Sequence, residues 1–298
     1  MNMQENVDLS IIIVSFNTKF FLEECIRSIK KTAKGFTYEI IVVDNASKDG
    51  SSELIKNKFK DIFLIENKDN LGFSKANNLG IQKASGRYIL FLNSDTLVYE
   101  NTLKRMIDFM ESHKEVGAAT CKVVLPSAKI DDASHRGFPT PWNSFTHFSG
   151  LAKLFGKTKL FGGYNLGYMD LSKTHEIDAL AGAFMIVRKE AGEEAGWWDE
   201  DYFFYGEDLD FCFHLKQKGW KVYFVADVSI LHYKGVSGGI KKDSQHLTTA
   251  DRETRKKTTR ERFRAMRLFY KKNYENKYPH FVTRLVYTGI ALKERLSS

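Results

Sequence analysis

Asp95, Glu207, Asp208 and His232 are the side chains here best suited to chemistry, and each stands where the chain changes character. Asp95 closes FLNSD, where a wholly apolar run ends in Asn93, Ser94 and a carboxylate. Asn, Ser and Asp favour turns by bonding back to the local backbone, so a turn is one account of them. A divalent ion is another, since Mg²⁺ or Mn²⁺ favours few protein ligands, mainly oxygen, together with phosphate oxygens of a substrate. His232 also closes a short apolar run, as a structural histidine or as a second ligand. Glu207, Asp208 and Asp210 open a helical stretch, where free N–H groups and the helix dipole favour carboxylates. Trp197, Trp198, Tyr202, Phe203, Phe204 and Tyr205 crowd just before them. Aromatic faces beside carboxylates suit a sugar, with platforms for C–H faces, acceptors for hydroxyls and a general base in reach. An aromatic core beside a helix start is the alternative. No GxGxxG follows the first apolar run and no GxxxxGK[ST] occurs, so dinucleotide oxidoreduction and P-loop phosphoryl transfer lack their usual supports.

The elements that must position these residues alternate in the first half. Buried strands are predicted over 10–16, 38–44, 61–66, 88–93 and 116–125, with helices over 18–33 and 101–113, one within 70–86, and a turn into a short helix within 45–59. Such alternation implies parallel pairing, right-handed crossovers and a ligand crevice beyond the carboxyl ends of the strands. The predicted ends carry Ser15 and Asn17, Asp44 and Asn45, and Asn93 to Asp95, along one edge of the sheet. Residues 126–176 hold three of the four prolines, many aromatics and no sustained period, which predicts a long irregular insertion with short helices. A strand is expected over 177–189, a helix over 207–218, and two short strands over 220–226 and 228–232.

In order, SFN, VVDNASKDGS, NLGFSKANNLGI, FLNSD, AGAFMIVRK, WWDEDYFFYGEDLDFC and HYKGVSGG resemble the family 2 glycosyltransferases of GT-A fold, over roughly residues 9–239. The similarity is greatest to the rhamnosyltransferase-like subgroup. It implies an α/β fold with a mostly parallel central sheet flanked by helices, and inverting transfer of a sugar, rhamnose first, from a dTDP- or UDP-linked donor. The acceptor would be a hydroxyl of a glycan or polyprenyl-linked glycan in bacterial cell-surface polysaccharide synthesis. The resemblance places Ser15, Asn17, Asp44 and Asn77 on the nucleotide sugar, together with Asn93, Ser94 and Asp95. Asp95 and His232 would bind Mg²⁺ or Mn²⁺, Asp208 would be the catalytic base, and Trp198, Asp199 and Glu207 would line the sugar and acceptor side. Asn93 departs from the family's usual D-x-D, which implies a weaker or differently shared metal site. Two alternatives stay open. A sugar nucleotidyltransferase would want a Gly-rich basic loop after the first strand, where SFNTKFF offers none; an inactive scaffold or sugar-binding protein would not need Asp95, Asp208 and His232 together.

Charge is unevenly placed. Residues 252–298 carry 14 Lys and Arg against 4 Glu, a net of +10, whereas the rest carries 31 basic and 33 acidic side chains. That asymmetry points to an anionic partner. Phe263, Met266, Phe269, Tyr270 and Tyr274 recur at helical spacing among the basic residues, a pattern suited to an anionic membrane surface, to packing on the domain or, less well, to nucleic acid. The membrane is the expected partner and nucleic acid is not. The expected division is a catalytic domain over 1–245, its nucleotide-binding half about 1–125 and its acceptor-side half about 126–245, followed by amphipathic helices over 246–298. The start of the chain shows no basic, apolar leader, no run is long enough to span a membrane, and three scattered cysteines suit a reducing compartment. A cytoplasmic protein on the inner face of the cell membrane is expected.

Overall fold

The structure, a computed structural model, describes residues 7–239 and 248–297. The expected boundary at 245/246 lies outside the described residues. The first half runs β1 (Leu9–Ser15), α1 (Lys19–Thr32), β2 (Tyr38–Asp44), α2 (Ser51–Lys58), β3 (Phe63–Glu66), α3 (Phe73–Ile81) and β4 (Tyr88–Asn93). Next come β5 (Thr96–Val98), α4 (Thr102–Ser112), β6 (Val116–Val124), α5 (Pro141–Ser149), α6 (Leu151–Phe155) and β7 (His175–Ile177). The chain continues through β8 (Phe184–Arg188), α7 (Lys189–Ala195), α8 (Glu207–Gln217), β9 (Lys221–His232), α9 (Arg252–Asn273) and α10 (His280–Arg295).

One nine-stranded sheet has the order β3-β2-β1-β4-β8-β6-β9-β5, with β7 also on β9. β1, β2 and β4 are apolar because both faces are covered, as in buried parallel sheets. Leu22, Cys25, Ile26 and Ile29 of α1 are buried in the core cluster of one face. The opposite core cluster holds Phe91, Trp198, Phe211 and Phe224.

The sheet is mixed where the sequence predicts regular elements. The expected strand over 177–189 is divided: β7 pairs with β9, and the chain then crosses to insert β8 antiparallel between β4 and β6. The crossing is tied down by Ala179, which exchanges backbone hydrogen bonds with Arg136, and by Ala183, whose carbonyl accepts from the N–H of Asn93 at 3.1 Å. Conversely, the two strands expected over 220–232 are one, β9, with a bulge. Its partners step from Cys121↔Val225 to Lys122↔Ser229, so residues 226–228 loop out without ending the ladder. The irregular insertion contains α5 and α6, as expected.

Helix α9 packs inward. Phe263, Ala265, Phe269 and Tyr270 are buried, and Phe269 and Tyr274 meet Phe213 of α8 edge-on, centroids 6.0 and 5.7 Å apart. Of the three accounts of the basic tail, packing on the domain therefore describes the apolar stripe of α9. No helix among the described residues is long and apolar enough to cross a membrane.

Candidate active site

The polar ends of β1, β2 and β4 lie side by side because the three strands pair in parallel register, Ser15 opposite Asp44 and Val14 opposite Asn93. Ser15 and Ser94 are joined by a residue that sequence reasoning missed: Thr18 Oγ1 stands 3.0 Å from Ser15 Oγ and 2.9 Å from Ser94 Oγ. This buried hydroxyl chain ties the ends of β1 and β4 together. Asn17, at φ +53°, accepts from the N–H of Lys48 at 2.7 Å, and its own N–H donates to Ser47 Oγ. Asp44 is buried; its Oδ2 accepts from the Ser47 N–H, while Oδ1 has no hydrogen-bond partner. A buried, unmatched carboxylate oxygen is costly unless a ligand donor meets it.

Helix α3 supplies less than the resemblance implies. Asn77 is buried and donates to the carbonyl of Phe73 in its own helix. Asn45 pins the preceding loop through Asn70 and the Gly72 carbonyl. Gly72 has φ +84°, and a Cβ there would lie 2.5 Å from the Phe203 carbonyl oxygen, so this loop touches the aromatic run directly.

Asp95 and His232 meet because β5 runs antiparallel to β9, with Thr96 opposite His232. His232 Nε2 lies 3.2 Å from Asp95 Oδ1, and the Val236 N–H approaches Asp95 Oδ2 at 3.4 Å. Burial pushes the Asp95 carboxyl up, but the His232 ring and these hydrogen bonds outweigh it and hold the group below its ordinary value. Asn93 Nδ2 is 3.4 Å from the same His232 nitrogen. His232 Nδ1 is buried without a hydrogen-bond partner, 3.9 Å from Asp131 Oδ2. Asp131, itself paired with Lys234, went unnoticed in the sequence because it lies in the aperiodic insertion. The donor set fits a divalent ion in part: a carboxylate and an imidazole adjoin at a strand end. No group of three or more His, Cys, Asp or Glu poised for a metal occurs among the described residues.

Asp208 lies in the first turn of α8, behind Gly206 at φ +83°. Arg136 Nη2 donates to Asp208 Oδ2 at 2.6 Å and to the Leu180 carbonyl at 3.4 Å. Burial would lower the Arg136 guanidinium, but the Asp208 charge raises it, and its Nε is buried without a partner. The segment 180–183 thus touches Arg136 at one end and Asn93 at the other, linking the Asp208 pair to the strand ends. Glu207 is buried, with Oε2 unpartnered; burial and then the charge of Asp208 push its carboxyl up to about 8. Adjacent carboxyls therefore differ in state, Glu207 raised by burial beside an Asp208 that is paired with Arg136.

Two expected lining residues lie elsewhere. Trp198 is a core residue, 1% exposed and 4.8 Å from the Phe91 ring, because three aromatic neighbours enclose it. Asp199 pairs with Lys272 of α9 and so ties the tail to the domain. The thiols serve packing: burial pushes Cys25 and Cys212 up to about 12.

The strand ends thus gather carboxylates, amides and an imidazole, with the Arg136–Asp208 pair alongside. The model of glycosyl transferase family 2 matches residues 10–171, and the chain belongs to that family. It is 26% identical over 226 residues to the rhamnosyltransferase WbbL of Escherichia coli (strain K12), covering 65% of this chain and 82% of that one. It is 36% identical over 113 residues to the minor teichoic acid biosynthesis protein GgaB of Bacillus subtilis (strain 168), covering 37% of this chain but only 13% of GgaB. Among solved structures, Staphylococcus aureus TarS 1-349 in complex with UDP-GlcNAc matches at TM-score 0.57 and 16% identity, covering 98% of this chain and 73% of that one. GalNAc-T7 with UDP, GalNAc and Mn²⁺ matches at 0.57 and 18%, covering 82% and 48%. The fold is GT-A.

Proposed function

We propose that this chain moves a sugar, rhamnose first, from a dTDP- or UDP-linked donor to a hydroxyl of a glycan or polyprenyl-linked glycan in bacterial cell-surface polysaccharide synthesis, with inversion. The observation that carries the reading is the Asp95–His232 pair at the crevice edge, coupled through 180–183 to the Arg136–Asp208 pair. WbbL, a rhamnosyltransferase, favours rhamnose, and neighbours solved with UDP-GlcNAc or with UDP and Mn²⁺ favour a nucleotide sugar and a divalent ion.

In this reading the free Asp44 oxygen accepts from the nucleoside, while Ser15, Asn17 and Ser94 shape its seat. Asp95 and His232 would hold Mg²⁺ or Mn²⁺, and the ion would supply positive charge against the departing diphosphate. Asp208 removes the proton of the acceptor hydroxyl as it attacks the sugar carbon from the side opposite the diphosphate, which gives inversion in one displacement. Arg136 orients Asp208, and protonated Glu207 offers a hydrogen bond to a hydroxyl. The basic tail holds the protein at the cytoplasmic face of an anionic membrane.

The test is thermal stability against a panel of nucleotide sugars with and without Mg²⁺ or Mn²⁺, since a ligand of the folded state raises the melting temperature. One donor should give a metal-dependent rise, and Asp208→Asn should keep that rise while losing about 10² to 10⁴ in transfer rate. A folded protein that responds to no nucleotide sugar would sink the reading in favour of an inactive scaffold.

A further inference from the structure

Helix α10 is apolar on two opposite sides, and packing explains only one. Thr283 and Ile290 are buried, and Tyr287 meets Tyr270 of α9 with ring centroids 5.6 Å apart. At about 100° of turn per residue, Phe281, Leu285, Leu292 and Leu296 fall within about 60° of one another on the other side. They are 58–77% exposed. Arg284 and Arg295 flank that stripe on one edge and Lys293 on the other.

A second exposed apolar surface adjoins it. Trp142, Phe145 and Phe148 of α5, with Leu154, Phe155 and Leu160 beyond, all face solvent. They are not on a loose loop. Trp142 Nε1 donates to the Leu160 carbonyl at 2.7 Å, and Phe161 bridges the rings of Trp142 and Phe155. Backbone packs on backbone here: a Cβ on Gly162 would lie 1.9 Å from the Gly156 carbonyl oxygen. Lys293 of α10 stands 5.8 Å from the centroid of Phe148, so the two surfaces meet. No Asp or Glu occurs between Asp132 and Asp170, while Lys153, Lys157 and Lys159 do.

We infer that α5–α6 and the outer stripe of α10 form one face that docks on an anionic lipid bilayer, its aromatic and leucine side chains entering the interface and its lysines and arginines meeting lipid headgroups. A rigid, exposed, acid-free apolar surface edged by cations has the composition of an interfacial anchor. The inference deepens the membrane contact proposed above and rests on it, but moves the contact from the basic helix α9 to α10 and the insertion. The insertion also carries Arg136, so a docked face would set the Asp208 side of the site near the bilayer, where a lipid-linked hydroxyl would arrive.

The experiment is flotation of the full chain with vesicles of phosphatidylcholine and phosphatidylglycerol, and with phosphatidylcholine alone. Phe145→Ser/Phe155→Ser and Leu285→Ser/Leu292→Ser alter side chains more than half exposed, so both should keep one cooperative melting transition, slightly lowered for the Phe pair by loss of the ring contacts with Trp142 and Phe161. Each pair should lower partitioning to the anionic vesicles at least about tenfold, since each removes two large apolar groups from the interface. If the Phe pair partitions like the parent while the Leu pair does not, the joint face is wrong and a tail-only contact stands. A parent that floats with neither vesicle overturns both ideas. A dimer in analytical ultracentrifugation that the same substitutions dissociate would assign the face to a second copy and overturn the proposal. The transferase reading is judged separately, by the donor-induced melting shift without vesicles.

Discussion

At the scale of residues, the site is a set of buried polar atoms whose partners are incomplete: Asp44 Oδ1, His232 Nδ1, Glu207 Oε2 and Arg136 Nε. Leaving such atoms unmatched costs stability, and these four lie at the ends of β2 and β9, at the start of α8 and on the arginine paired with it. Glu207 gives a pH prediction with a definite sign. Its folded carboxyl is raised from 4.5 to about 8, so the folded protein keeps a proton that the unfolded chain has released. Stability therefore falls as pH rises from about 4.5 to about 8 and levels beyond, by up to about 1.4 kcal/mol per pH unit. Glu207→Gln should flatten that slope, checked by melting temperatures at pH 5.5, 7 and 8.5; an unchanged slope would assign the pH dependence to other groups. Asp95 and His232 stand out in the sequence because each closes an apolar run, and Asp208 because it opens a helix within an acidic cluster. Thr18, Asp131 and Arg136 were not: a threonine in a turn and two charges in an aperiodic insertion show no local sign of the partner that folding gives them.

At the scale of elements, α8 links the site to the tail. Tyr202 and Asn273 donate to Asp210 Oδ1 at 3.1 and 2.8 Å, and His214 Nδ1 stands 3.4 Å from Oδ2. Asp210 thus supports α8, placing Asp208 two residues earlier on the helix. Burial pushes the Asp210 carboxyl up even against these donors, so losing one is costly. Asn273→Ala should destabilise the protein by about 1–3 kcal/mol, read as a lower urea midpoint at unchanged slope. A changed slope would show that α9 had detached instead. The parallel strands and α1 were legible because burial on both faces of a strand writes an apolar run, and burial of one helix face writes a 3.6-residue period. The division of 177–189 and the fusion of 220–232 were not, since a crossing and a bulge depend on which strand edges stand free.

At the scale of the whole molecule, the described part of the basic tail is both core and surface. Ending the chain at residue 250 would remove Phe263, Phe269 and Tyr270 from the interior, at about 1.5–3 kcal/mol each. That sum approaches the stability of an ordinary domain, so this truncation should lack a cooperative thermal transition by circular dichroism. Ending it at 279, which removes α10 alone, should leave one at a lower temperature. Equal melting of both truncations would mean that α9 contributes no core. The sequence by itself determined the buried strands, their polar ends and the acid-rich start of α8, because these arise from local burial and local backbone chemistry. The tertiary structure alone decided that β5 pairs with β9, bringing His232 to Asp95, that β8 enters antiparallel beside β4, and that α9 turns its aromatics inward while α10 leaves a stripe outside. Those choices rest on contacts between distant segments, whose closure is set by competition among free edges and faces of the assembled sheet.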